Sequence, residues 1–271
     1  IQHRLIRVLE RQTELTRGTE YHTGEKQLIA ANLDTLFITS SCNNDFNPAR
    51  LERYLALAHD AMITPVIVLT KADQTDDPDD YIDQARVRGR DLEVIAMDAK
   101  TGDVPALLAP WCGKAQTVAL AGSSGVGKTT IANALTGGDA ATQAIREDDA
   151  RGRHTTTGRS LHCMGSGGWL IDTPGMRGLG VAEVAYGIDA TFPEISELAA
   201  QCKFRDCEHE TEPGCAVQAA IARGEVDPER LRRFKKLKRE NEHATETIAQ
   251  ARQRSRKLGK MYRAAVKKKG R

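Results

Sequence analysis

Gly122-Ser-Ser-Gly-Val-Gly-Lys-Thr-Thr130 decides the reading of this chain. Its first eight residues satisfy G-x-x-x-x-G-K-[ST] in full. The apolar run Thr117–Ala121 (TVALA) precedes it, and Thr129–Leu135 continues with helical character. The motif therefore sits between a strand and a helix, as its chemistry requires. Gly122, Gly125 and Gly127 let the backbone N–H groups of the loop, through Ser123, Ser124 and Val126, wrap around phosphate oxygens without Cβ clashes. Lys128 places a positive charge on the β- and γ-phosphates, and the Thr129 hydroxyl can ligate Mg²⁺. Thr130 belongs to the same nucleotide-contacting run. The helix N-terminus adds its partial positive charge. The alternative is a chance glycine-rich turn, and the flanking elements count against it.

Downstream, Asp172-Thr-Pro-Gly175 ends the apolar run Trp169–Ile171, 44 residues beyond Lys128. An Asp at a strand end beside a phosphate loop serves Mg²⁺, and the Gly175 N–H could sense a γ-phosphate. Alone, this tetrapeptide is also good turn chemistry. Upstream, Thr70-Lys71-Ala72-Asp73 follows the β-branched run Pro65–Leu69. A carboxylate at Asp73 accepts from the N1–H and 2-amino group of guanine, which adenine does not present, while the Lys71 stem packs across the base. Asp98-Ala99-Lys100-Thr101-Gly102 follows the strand Leu92–Ala96 and is similar to the SAKTG motif that contacts guanine O6, with Asp98 in place of the usual Ser. Together the two loops favour GTP over ATP.

Strand-type runs alternate with helical ones: Leu28–Ser40, then helix Pro48–Asp60, strand Pro65–Leu69, helix Asp79–Gly89 and strand Leu92–Ala96. That alternation implies a mostly parallel sheet covered on both faces. After Gly180 the pattern changes. A helical stretch at 194–201 is followed by Cys202-x₄-Cys207-x-His209-x₅-Cys215 and a charged helix over Pro228–Gln253. Three thiolates and one imidazole suit tetrahedral, structural Zn²⁺ with no open position; free buried thiols are the alternative. The remaining cysteines, Cys42, Cys112 and Cys163, are scattered, so no disulfide framework is implied.

The order of the motifs is inverted relative to ordinary GTPases, in which the phosphate loop comes first and the base-reading loops last. Here the base loops precede the phosphate loop, the segment His154-Thr-Thr-Thr157 and DTPG, so the GTPase is circularly permuted. On TKAD, DAKTG, GSSGVGKTT, GRHTTTGR (152–159), DTPGMRGLG (172–180) and the cysteine cluster, the chain resembles the RsgA (YjeQ) family of small-ribosomal-subunit-dependent GTPases over nearly all of its length. The resemblance implies an α/β, circularly permuted P-loop GTPase domain, a small C-terminal zinc-binding helical domain and an N-terminal OB-fold. The expected domains are 1–26 (a remnant of the OB-fold), 27–180 (GTPase) and 181–271 (zinc domain with basic helix and tail). Residues 1–17, with Ile6, Val8 and Leu15 as strand candidates, would hold only the last part of the OB-fold, the rest lying outside this sequence.

Most small GTPases place a Gln after the DxxG glycine to orient the attacking water. This chain has Met176 there, which cannot do so. His154 in the polar loop 151–159 is the candidate to position that water, and the resemblance points the same way; a solvated histidine or an RNA contact are the alternatives. One threonine of this loop is expected to ligate Mg²⁺, and Thr156 is favoured. Slow turnover that a partner accelerates follows from the missing Gln.

With 271 residues and 40% hydrophobic content, the chain is long enough for two or three domains. No apolar run approaches the ~18–20 residues needed to cross a bilayer, and no signal peptide is visible at the start. A cytoplasmic protein with no membrane partner is expected. The net charge of +2 hides an asymmetry: residues 230–271 carry 17 Lys or Arg against Glu240, Glu242 and Glu246, a net of +14, which leaves −12 on the remainder. A basic end on an acidic body suits a polyanionic partner, although a solvated charged helix has the same composition. Lys203, Arg205 and the helix after Pro228 are the expected rRNA-facing cations.

The leading reading is a monomeric GTPase that binds the small (30S) ribosomal subunit and its 16S rRNA and hydrolyses GTP during late subunit maturation. Its cofactors would be GTP/GDP, Mg²⁺ and one structural Zn²⁺. The ribosomal part comes from the resemblance. The alternatives are a GTP-gated rRNA-binding module in which hydrolysis is incidental, and a P-loop ATPase or kinase, against which Asp73 argues.

Overall fold

A computed structural model describes residues 7–8, 10–18, 26–87, 89, 91–138, 160–172 and 180–245. The chain divides into two compact units, Ile1–Thr16 with Leu28–Gly178 and Arg17–Gln27 with Leu179–Arg271.

The first unit is built on strands β3 (Thr35–Ser41), β4 (Thr64–Thr70), β5 (Glu93–Ala96), β6 (Thr117–Ala121), β7 (Ser160–Cys163) and β8 (Trp169–Asp172). They lie in the order β5-β4-β3-β6-β8-β7. All neighbours are parallel except β7, which pairs antiparallel with β8 at the edge. Successive strands run outward from β3 to β5 on one side. The chain then returns to lay β6 on the other side of β3, with Ile38 opposite Ala121. In open sheets of this kind ligands bind at the carboxyl ends of the strands where the order reverses, here between β3 and β6. Parallel pairing puts the ends of β4, β5, β6 and β8 on that same edge, so motifs more than a hundred residues apart meet there.

The helices start where the sequence offers a cap. Asn47 accepts from the Arg50 N–H at 3.0 Å with Pro48 at the start of α1 (Pro48–Asp60), and Asp77 accepts from the Asp80 N–H at 3.1 Å with Pro78 opening α2 (Pro78–Arg86). Asp103 caps the short α3 (Val104–Leu108) in the same way. α1 buries Leu51, Tyr54, Leu55 and Ala58, one face at helical spacing. The core joins Phe37, Val66, Val68, Val118, Ile131, Leu135 and Leu170. Each such side chain contributes roughly 1.5–3 kcal/mol by leaving water.

The run Leu28–Ser40 is not one strand. It splits into β2 (Lys26–Ala31) and β3 at Asn32, whose φ of 55° is left-handed. The Asn32 side chain accepts the Gln12 N–H at 2.8 Å, stabilising the break. β2 pairs with β1 (Glu14–Gly18) in a separate two-stranded sheet. Leu15 lies buried in β1, whereas Val8 is exposed and outside any strand.

The second unit holds α5 (Ala185–Thr191), α6 (Pro193–Ala199), α7 (Ala216–Ala222) and a helix α8 over residues 228–245. Phe192 and Phe234 meet edge-to-face at 5.5 Å. Arg230 stacks on Phe192, pairs with Glu194 and donates to Thr191 O at 2.9 Å. Asn241 accepts from the Val184 N–H at 2.8 Å. Among the described residues, no helix is long and apolar enough to cross a membrane.

Candidate functional site: a nucleotide cradle and a metal cluster

The phosphate loop joins β6 to α4 (Lys128–Thr136). Gly122 has a φ of 140°, and a Cβ there would come within 2.2 Å of Thr39 O on β3. Only glycine allows the loop to leave the sheet this close to its neighbour. Gly127 takes a φ of 91°, and a Cβ there would press on Thr70 at 3.3 Å. Lys128 opens α4, and its ammonium donates to Gly122 O at 2.9 Å and to Ser123 O. These bonds hold the cation over the mouth of the loop. Gly125 and Ser124 are exposed at its crest, and Thr129 and Thr130 are half-buried in the first turn of the helix.

Two contacts that no local pattern announces fix this loop. The Ser123 hydroxyl donates to Asp45 Oδ2 at 2.6 Å, and Arg50 from α1 bonds both Ser123 and, at 2.9 Å, Asp45. Burial works to raise the Asp45 carboxyl. The hydrogen bonds from Ser123 and Arg50, with the charges of Arg50 and Lys71, outweigh it and hold the group below its ordinary value. On the other side the Thr70 hydroxyl, fully buried, lies 2.7 Å from Val126 O and 3.1 Å from Ser40 O. Thr70 therefore serves the site by tying the end of β4 to the phosphate loop.

The base loops are joined in the same fashion. Lys71 is left-handed (φ 58°) and leads into a 3₁₀ turn, Ala72–Gln74, that leaves the Asp73 carboxylate exposed. The Ala72 N–H reaches Met97 O at 3.3 Å, and the Met97 N–H reaches Leu69 O at 2.8 Å. Asp98 bonds the Lys100 N–H at 2.8 Å and the Thr101 hydroxyl. These two bonds pull its carboxyl below the ordinary value. The residue that departs from the usual Ser thus closes the turn presenting Ala99 and Lys100. Asp73→Asn converts the acceptor expected to meet the guanine donors into a partial donor. It is expected to cost GTP affinity by a factor of about 10², the price of one unpaired charged hydrogen bond. Titration with a fluorescent GTP analogue against its ATP counterpart reads this, and an unchanged preference for GTP would remove Asp73 from base recognition.

Asp172 ends β8, opposite Ser160. His154, Thr156 and Gly175 lie outside the described residues.

In the second unit, Cys202, Cys207, His209 and Cys215 bring their ligand atoms within 4.8 Å of one another. His209 Nδ1 is 3.6 Å from Cys202 Sγ and 3.5 Å from Cys215 Sγ, and the two sulfurs are 3.9 Å apart. A tetrahedral zinc with Zn–S of about 2.3 Å has S···S edges of about 3.8 Å. The separations fit that ion and are far too long for a disulfide. Burial opposes ionisation of Cys202, but the N–H groups of Ala216 and Val217 and the neighbouring thiols draw it below the ordinary thiol value. The Glu212 carboxylate shapes the ligand loop by accepting the N–H groups of Glu208 and Glu210 at 2.9 and 2.8 Å.

A parallel sheet with a phosphate loop at its reversal point and base loops that precede it in sequence defines a circularly permuted GTPase. The model of the RsgA GTPase family matches residues 8–182, and the chain belongs to that family. The small ribosomal subunit biogenesis GTPase RsgA of Mesorhizobium japonicum is 57% identical over 251 residues, covering 90% of this chain and 70% of its own. RsgA 2 of Vibrio vulnificus is 49% identical over 263 residues, covering 97% and 75%. Among solved structures, YjeQ from Thermotoga maritima aligns with a TM-score of 0.59 at 26% identity, over 85% of this chain and 76% of that one. YloQ, described as a circularly permuted GTPase, aligns at 0.57 and 27%, over 84% and 71%. The chain is a GTP hydrolase that uses Mg²⁺, and its Cys₃His cluster fits a structural zinc.

Proposed function

We propose that this GTPase acts in biogenesis of the small ribosomal subunit, as a cytoplasmic monomer that binds the 30S particle through its 16S rRNA and leaves after hydrolysis. The observation that carries the reading is the 57% identity, across 90% of the chain, to a protein named for that role. The basic C-terminal region, 17 cations against three acids over 230–271, supplies charge suited to rRNA.

In the reaction, Asp73 and Lys71 hold guanine while the loop N–H groups and the α4 N-terminus hold the phosphates. Lys128 stands where negative charge grows on the β- and γ-phosphate oxygens. Thr129, Thr156 and Asp172 are the residues that would hold Mg²⁺, which when bound neutralises phosphate charge. His154 positions the attacking water, because Met176 offers no group able to do so. Phosphoryl transfer demands positioning above all, so a chain lacking the usual Gln turns over slowly until a partner orders the loop.

Steady-state hydrolysis with and without purified small subunits tests this. Stimulation of roughly 10²-fold or more is expected, the range a positioned acid–base group supplies, with little effect from large subunits. His154→Ala should lose most of the stimulated rate while still binding subunits. No stimulation would remove the ribosomal role. A His154→Ala protein that matures subunits normally would favour the GTP-gated binding module.

A further inference from the structure

One face of α8 carries a charge pattern that folding does not require. Leu231, Phe234, Leu237 and Asn241 turn inward and are buried. Arg232, Lys235, Lys236 and Arg239, at i, i+3, i+4 and i+7, share the opposite side. Like charges at these spacings oppose helix formation, and the pairing of Arg232 with Glu229 offsets only part of that cost within the helix. The four cations line an open groove of about 620 Å³, whose other wall comes from α7 and the ligand loop at His209 and Glu210. Ile221, Pro228 and Leu231 give it an apolar floor.

Two carboxylates, Glu210 and Glu240, line the groove, and Glu210 engages its cations directly. Glu210 Oε1 accepts from Lys235 Nζ at 2.7 Å and lies 3.8 Å from Arg239 Nη2. Glu210 follows the metal ligand His209 directly, so the ligand loop sets its position. Lys236, Arg239 and Arg232 remain exposed.

We propose that this groove is an RNA-backbone site: Arg232, Lys235, Lys236 and Arg239 take phosphate oxygens, and Glu210 is the internal anion that the RNA displaces. From Arg232 to Arg239 the helix rises about 10 Å, room for more than one phosphate. Guanidinium forks match phosphate oxygens bidentately, and the apolar floor accepts a ribose or base face. RNA is favoured over an acidic protein because the proposed partner particle presents phosphate; the inference rests on that reading for its occupant. Glu210 makes the site selective: a lone carboxylate gains little by replacing another, whereas linked phosphates engage the whole stripe at once.

The test uses the full chain, deproteinised small-subunit rRNA and intact small subunits, each titrated across a salt series. Lys236→Ala/Arg239→Ala should weaken rRNA binding about tenfold or more and flatten the log Kd against log salt slope by roughly two. Glu210→Gln should tighten binding several-fold at low salt, an effect that loss of structure cannot imitate. Basal GTP hydrolysis should be unchanged in both. An unchanged salt slope in the double variant, or weaker binding by Glu210→Gln, overturns the groove. So does a loss of subunit binding with rRNA binding intact, which would make the occupant a protein. Failure of the wild-type chain to bind subunits would strike the proposed function instead, while rRNA binding still reads the groove.

Discussion

Lys128→Ala is expected to reduce GTP hydrolysis by about 10³-fold or more while leaving the fold in place. The lysine does two things. Its ammonium is the cation proposed for the β- and γ-phosphates, and it bonds Gly122 O and Ser123 O across the loop mouth. Removing one preorganised donor from a site where charge develops costs roughly 10²–10³ in rate. Here the donor also carries a full charge, and its loss leaves two carbonyl oxygens facing the anion it had screened. The structural cost is smaller, since two hydrogen bonds at a half-exposed site are worth about 1–3 kcal/mol. The loop keeps its other ties, Ser123 to Asp45 and Thr70 to Val126. Single-turnover hydrolysis, analogue binding and a melting curve separate the two parts. GTP affinity should fall more than GDP affinity, because the γ-phosphate is lost from the lysine's reach in GDP. Lys128→Arg should not rescue, since a planar fork cannot replace a compact ammonium between these oxygens. A Lys128→Ala protein that hydrolyses GTP at a tenth of the normal rate would show that the chemistry lies elsewhere.

The parts of this site legible in the sequence were those whose physics is local. GSSGVGKT needs only eight residues to state strand end, phosphate loop and helix start, and the strand and helix stand where TVALA and TTIANAL put them. Asn47-Pro48 and Asp77-Pro78 mark helix starts by capping chemistry alone. Spacing also announced the Cys₃His set, because its four ligands fall within fourteen residues. What stayed hidden depends on register between distant strands. Arg50 meets Ser123 across 73 residues because β3 and β6 are neighbours, and no period in either segment encodes that. Thr70 begins TKAD, and nothing in that motif announces its hydroxyl contact with Val126 O, 56 residues away. Leu28–Ser40 read as one strand because its apolar content is continuous. The break rests on the left-handed Asn32 and its partner Gln12, outside the run. The edge strand β7 carries His162 between Leu161 and Cys163, too short and mixed a pattern to stand out.

Loss of the metal is the other large effect, and it is expected to fall on the second unit alone. Cys215 makes the clean test. Its sulfur is a ligand and also accepts the Gln218 N–H at 3.4 Å, capping α7. Serine caps helices well, so Cys215→Ser keeps the cap and removes only the soft ligand. Structural zinc in small domains contributes an apparent ~10–16 kcal/mol. The unit also buries apolar side chains of its own, among them Val184, Ile188, Phe192, Ile195, Val217, Val226, Leu231, Phe234 and Leu237. Each contributes roughly 1.5–3 kcal/mol by leaving water, but ordering the chain costs about 1–2 kcal/mol for every backbone residue, so the metal is a large share of what remains. Wild type should carry one zinc per chain. Cys215→Ser, or chelation, should release it and expose the amides of residues 202–222 to hydrogen exchange. The sheet of the first unit, with its own core of Phe37, Val66, Val118 and Leu170, should keep its protection and basal GTP hydrolysis. Acid should favour release, because protons compete with the metal for thiolate and imidazole. If Cys215→Ser retains full zinc and full protection, the cluster is four well-packed side chains and the metal does not hold the unit together. If it loses zinc and the first unit melts as well, the two units share their stability. The metal would then act on the GTPase through structure, before any effect on the groove that its ligand loop borders.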